Sequence, residues 1–92
     1  MVEQRVVVTN RLGLHARAAA LLVRTASCFQ SALRLERLDG TASADAKSIL
    51  SVLMLAAARG TQLRAVAEGA DESDAIGALC RLFNDGFGEN EQ

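Results

Sequence analysis

The sequence contains no proline, no tryptophan and no tyrosine, and its aromatic content is three phenylalanines. So few aromatic rings leave no stacking platform for single-stranded nucleic acid. Neither sign of charge dominates: ten Lys and Arg stand against eleven Asp and Glu, a formal net charge of −1. A dedicated nucleic-acid binder carries a basic surplus, which this chain lacks. The two cysteines, Cys28 and Cys80, are far apart and have no metal-ligand spacing. Each falls in an apolar helical pattern, so both are expected to be small buried side chains. No apolar run is long enough to span a bilayer, and the N-terminus leads straight into a charged, alternating segment rather than a secretory leader. These absences lead us to expect a cytoplasmic, reducing setting with no direct membrane insertion. The missing proline matters at residue 18.

What is present is a chain of 92 residues, half of them hydrophobic. That is enough for one domain, residues 1–92, with a core that needs no metal or disulfide. Glu3 to Thr9 alternates as a strand, with Val6 and Val8 on one face. Asn10 to Gly13 is a turn, and Ala16 to Ser27 a helix with Ala19, Leu22, Val23 and Ala26 at core spacing. Ala32 to Arg37 and Thr41 to Asp45 are strands joined through Asp39-Gly40, a hairpin signal. Thr61 to Glu68 is the fourth strand, with Leu63, Ala65 and Ala67 inward. Asp71 is expected to cap a last helix that buries Ile76, Leu79, Cys80 and Phe83, with Asp74 completing a capping-box-like start. That helix ends near Asp85-Gly86, and Gly88 to Gln92 is expected to fray.

The order β-α-β-β-α-β-α predicts an α+β domain, an open-faced β-sandwich. A four-stranded antiparallel sheet carries three helices on one face and turns the other to solvent.

The only histidine lies in Arg11-Leu12-Gly13-Leu14-His15-Ala16-Arg17-Ala18, where a turn meets the first helix. A helix start presents unpaired N–H groups and favours an anion. It disfavours a cation, so an imidazole placed there is expected to be neutral, with a nucleophilic lone pair. A phosphoryl group on that ring would face the free N–H groups, and Arg17 could add a charge-assisted contact. Local geometry alone leaves a second reading open: His15 as an ordinary surface or core residue, and Arg17 as a solvated helix residue.

Lys47-Ser48-Ile49-Leu50-Ser51-Val52-Leu53-Met54 predicts a short helix with Ser48 at its N-cap. Ile49, Val52, Leu53 and Ala56 share a face, while Leu50 and Met54 fall off that stripe. Such a helix is either packed on two sides or exposes an apolar patch of the kind that meets partners.

These residues together resemble the HPr family, the histidine-containing phosphocarrier proteins of the phosphoenolpyruvate:sugar phosphotransferase system. The resemblance covers nearly the whole chain. Gly13-Leu14-His15-Ala16-Arg17 matches the family's phosphorylation motif and Lys47-Ser48-Ile49 its regulatory serine motif. Gly60 before a strand and Glu68-Gly69-Ala70-Asp71-Glu72 before the last helix match as well.

The resemblance implies a carrier rather than an independent enzyme, with no metal or cofactor of its own. His15 would take a phosphoryl group on Nδ1 from Enzyme I, itself phosphorylated by phosphoenolpyruvate, and pass it to EIIA domains of sugar transporters. Arg17 would steady the group. Ser48 would be the target of an HPr kinase/phosphorylase, or only a helix cap. Leu14, Ala18, Lys47, Ile49, Leu50, Leu53 and Met54 are the expected partner-binding residues, and a monomer is expected to serve successive partners. The family usually has Pro where this chain has Ala18. Proline fixes φ and lacks an N–H that a first helical turn leaves orphaned, so Ala18 predicts a small loss of stability and an unchanged fold. The substitution also points to an alternative, a nitrogen-related or Ser48-gated regulatory paralogue.

Overall fold

Alternation of apolar and polar side chains sets the first strand, β1 (Val2–Val7), which buries Val6 and exposes Glu3, Arg5 and Val7. In the computed structural model, which describes residues 1–89, β1 is shorter at its end than the sequence predicts. Its register nonetheless persists, because Val8 N–H donates to Thr61 O at 3.0 Å and Gly60 N–H to Val8 O at 2.8 Å. Then follow α1 (Ala16–Ala26), β2 (Ala32–Arg37), β3 (Ser43–Asp45), α2 (Ile49–Met54), β4 (Gln62–Glu68) and α3 (Glu72–Asn84). A single 3₁₀ turn, Gly86–Gly88, closes the described chain.

The four strands form one antiparallel sheet in the order β1-β4-β2-β3. Leu33, Leu35, Ala44, Leu63, Ala65 and Ala67 point to one face, where they meet Leu22 of α1 and Ala75, Leu79 and Phe83 of α3 in a single core. Fully burying a side chain such as Leu22 or Phe83 is worth about 1.5–3 kcal/mol, so this face dominates the stability. The sheet's other face carries Glu3, Arg34, Glu36 and Arg64, with Arg34 Nε on Glu36 Oε2 at 2.8 Å. The architecture is the predicted open-faced sandwich.

Several local expectations are corrected. β3 begins at Ser43, not Thr41, because the Asp39 carboxylate takes the Thr41 N–H at 3.0 Å and its hydroxyl at 2.6 Å and holds that residue in the turn. Cys28 is exposed, since α1 stops before it, and Cys80 is only half-buried. Asp71 stands at the cap position of α3 but does not cap it. Its carboxylate reaches across the fold to the N–H groups of Gln30 and Ser31, each at 2.9 Å, and to the Ser31 hydroxyl. Those bonds, the Ser31 hydroxyl foremost, hold the Asp71 carboxyl below the usual carboxylate value. Glu72 instead reaches back to Gly69 N–H at 3.0 Å. On α3, Ala75 takes a core position, while Ile76 is only partly buried. Gly88 and Glu89, expected to fray, are hydrogen-bonded in and after the 3₁₀ turn; residues 90–92 lie outside the described residues.

Candidate functional site

The turn before α1 is set by a glycine and a close backbone approach. Gly13 has φ +70°, the left-handed region that favours glycine. A Cβ there would lie 2.6 Å from Ala57 O, so the backbone approach also demands glycine. The next residue exploits that approach: Leu14 N–H donates to Ala57 O at 2.9 Å. The loop after α2 is thereby tied to the residue before His15. Behind both, Asn10 is buried and its Nδ2 donates to Gly13 O at 2.7 Å.

His15 is the N-cap of α1, with extended backbone (φ −76°, ψ −179°). Its carbonyl starts the helix by accepting Ala19 N–H at 2.8 Å. Its side chain caps as well: Nδ1 accepts Arg17 N–H at 3.3 Å. The other ring nitrogen, Nε2, is hydrogen-bonded to Glu89 Oε2. Glu89 in turn accepts Asn10 Nδ2 on Oε1 at 3.1 Å. The His15 hydrogen bond, with help from Asn10, holds the Glu89 carboxyl below its ordinary value despite the burial that opposes it. The ring is half-buried, and Arg17 is exposed at the helix start, where its guanidinium makes no hydrogen bond or ion pair among the described residues.

This geometry assigns proton positions. Nδ1 accepts from a backbone amide and is therefore unprotonated; Nε2 carries the hydrogen and gives it to a carboxylate. A neutral imidazole in this tautomer offers Nδ1 as its nucleophile, beside first-turn amides suited to an anion.

Ser48 is the N-cap of α2, and its Oγ accepts Ser51 N–H at 3.3 Å. The helix is only six residues long. Of the predicted inward face, Val52 alone is buried; Leu55 takes the second core position. The chain tightens at Leu55 N–H to Val52 O and turns left-handed at Ala56 (φ +51°), which ends the stripe early. Ile49 (42 %), Leu50 (66 %), Leu53 (38 %) and Met54 (73 %) are exposed, and the helix is buried along Val52 alone. α1 packs against α2, and Leu14 is bonded to the loop that follows α2, so this apolar patch belongs to the same end of the molecule as His15.

The remaining predicted contact residues lie elsewhere. Leu14 and Ala18 are buried in the core and support the site from behind, so they are withdrawn from the exposed apolar set. Lys47 is half-buried and donates Nζ to Phe29 O at 2.8 Å, a structural tie between loops. Asn10 and Glu89 were not predicted: a buried asparagine in a turn and a glutamate after glycine-flanked Phe87 give no local signal, and their contact with each other spans 79 residues.

The fold and site define a class: an open-faced sandwich with one histidine at the start of its first helix. Comparison with known proteins agrees. The family model for the PTS HPr component phosphorylation site matches residues 2–85. Phosphocarrier protein HPr of Xylella fastidiosa (strain 9a5c) is 47% identical over 90 residues, covering 98% of this chain and 99% of that protein. Phosphocarrier protein NPr of Escherichia coli (strain K12) is 40% identical over 89 residues, 97% of this chain and 98% of that one. The crystal structure of HPr-C-His from Thermoanaerobacter tengcongensis superposes with a TM-score of 0.92 at 41% identity, covering 99% and 100% of the two chains. The chain belongs to the HPr family of phosphocarrier proteins.

Proposed function

We propose that this protein carries a phosphoryl group on Nδ1 of His15, taken from Enzyme I and passed to EIIA domains of sugar transporters. The observation that carries the reading is unprotonated Nδ1 of His15 at the N-terminus of α1, its lone pair on the Arg17 N–H that a phosphoryl oxygen would take over. In the forward step that lone pair attacks phosphorus. The Nδ1–P bond forms as the donor's bond to phosphorus breaks, and its electron pair stays with the donor. In the onward step the pair returns to Nδ1. The first-turn amides and Arg17 receive the phosphoryl oxygens. One helix end and one exposed arginine make a modest clamp, which suits a group that must leave again.

Ile49, Leu50, Leu53 and Met54 supply the apolar part of the docking face, and an exposed apolar patch beside a reactive group favours partner contact. Phosphate on Ser48 from an HPr kinase/phosphorylase would sit at a helix start and add negative charge beside that face. The protein works as a cytoplasmic monomer in this reading; among the described residues no helix is long and apolar enough to cross a membrane.

A second reading, a regulatory or nitrogen-related paralogue not serving bulk sugar transport, draws on Ala18 in place of the usual proline and on the 40% identity to NPr. The test of the first is intact mass after incubation with Enzyme I, phosphoenolpyruvate and Mg²⁺. The expected result is an acid-labile gain of one phosphoryl group that His15→Ala abolishes. No gain in folded protein, with Enzyme I active on another HPr, would leave the regulatory reading in front.

A further inference from the structure

We propose that Glu89 is a positioning residue for His15: by accepting the Nε2 hydrogen it fixes the ring's tautomer and orientation and faces the positive charge that the ring gains in phosphoryl transfer. The proposal rests on the phosphocarrier reading but concerns a residue outside the family match, which ends at residue 85.

Three observations carry it. Glu89 Oε2 is hydrogen-bonded to His15 Nε2, the nitrogen opposite the one that caps α1. Glu89 is itself held, since Oε1 accepts Nδ2 of the buried Asn10, which also grips the Gly13 carbonyl. The segment that delivers it is anchored. Phe87 is buried against Phe83, edge to face at 5.0 Å between ring centres, although its backbone stands at φ +58°. A bulky residue keeps that backbone only where its surroundings impose it. Around it, Gly88 N–H donates to Asp85 O and Glu89 N–H to Gly86 O, each at 3.1 Å. The carboxylate is thus placed by a packed turn rather than by a loose tail.

The chemistry follows from charge. Attack by Nδ1 on phosphorus while Nε2 keeps its hydrogen leaves an N-phosphoryl imidazolium. The positive charge lies on the ring, and its Nε2–H points at a carboxylate. A carboxylate behind a histidine fixes its tautomer and holds its orientation in triads and in metal sites alike. When the phosphoryl group leaves, the electron pair of the N–P bond returns to Nδ1 and the ring is neutral again, still donating to Glu89.

The test uses the intact protein and its Glu89→Ala and Glu89→Gln variants. Proton–nitrogen NMR of the His15 ring reports the tautomer and the Nε2–H signal. Phosphoramidate, a small phosphoryl donor, reports Nδ1 reactivity without any protein partner. The wild type is expected to show a protected Nε2–H signal with Nδ1 unprotonated. Glu89→Ala is expected to lose that protection and to react roughly tenfold more slowly. Glu89→Gln, which keeps an acceptor without the charge, is expected to fall between. An unchanged Nε2–H signal and unchanged rate in folded Glu89→Ala would overturn the proposal. Failure of Enzyme I to phosphorylate the wild type would instead count against the carrier reading, because the NMR signal and the phosphoramidate rate do not depend on it.

Discussion

α1 and α2 both begin on a side chain that accepts an amide hydrogen: Nδ1 of His15 takes Arg17 N–H at 3.3 Å, and Oγ of Ser48 takes Ser51 N–H at 3.3 Å. Beyond that bond the two starts diverge. The His15 ring is gripped at its far nitrogen by Glu89 and backed by Asn10, and the chain before it is locked to Ala57 O. The Ser48 hydroxyl makes no second hydrogen bond among the described residues, and four exposed apolar side chains follow it on a helix of six residues. One start is tied at both ring nitrogens and through the chain before it. The other is a plain cap at the rim of an apolar face, where an added charge would matter more than geometry.

The largest effect is expected from breaking the rigid side. Gly13→Ala combines a left-handed backbone with a Cβ 2.6 Å from Ala57 O and 3.0 Å from Ala58 Cα, neither of which can yield cheaply. A loss of about 2–3 kcal/mol in denaturant unfolding is expected, with slower phosphoryl uptake as Leu14 loses its bond to Ala57. A change below about 0.5 kcal/mol would mean that the loop is softer than its contacts imply.

The plain cap is sharpened by Ser48→Asp. Aspartate is as good an N-cap as serine, so stability should stay within about 0.5 kcal/mol. The new charge beside the apolar face should slow uptake from Enzyme I by roughly tenfold, mostly through association. Equal rates for variant and parent would remove Ser48 from the docking face.

The smallest effect concerns the far end of α2, where Arg37 Nη1 donates to Leu55 O at 3.0 Å. Asp39 holds Arg37 and the Thr41 turn. The Thr41 hydroxyl above all, then the Thr41 amide and the guanidinium, lower its carboxyl from the ordinary 3.8 to about 2. A folded-state value below the unfolded one means that the carboxylate favours the native state above 3.8, and that this contribution fades as pH falls toward about 2. The stability difference between the parent and Asp39→Asn should therefore be constant near neutrality and shrink through that window. A difference independent of pH would show that Asp39 acts without its charge.

Much of the frame is legible in the sequence because it is local. Leu63, Ala65 and Ala67 alternate in β4 as they do in the chain, and Ala19, Leu22 and Ala26 face the core of α1 at helical spacing. Ser48 reads as a cap and is one. What sequence periodicity misread lies in a short element: Ile49, Leu53 and Ala56 carry an inward pattern, but α2 buries Val52 alone and ends at Met54, before Ala56. What it missed depends on contacts across the fold. Asp71 looks like a cap and instead secures Gln30 and Ser31, some forty residues away. Glu89 looks like part of a fraying tail and instead meets His15, because burial of Phe87 brings it there.

Phosphoryl transfer is assigned to one nitrogen atom, and phosphorus–nitrogen correlation NMR on the phosphorylated, ¹⁵N-labelled protein reads that atom directly. The phosphorus is expected to couple to Nδ1 of His15, with the hydrogen remaining on Nε2 toward Glu89. Coupling to Nε2, or phosphate on any residue other than His15, would contradict the account.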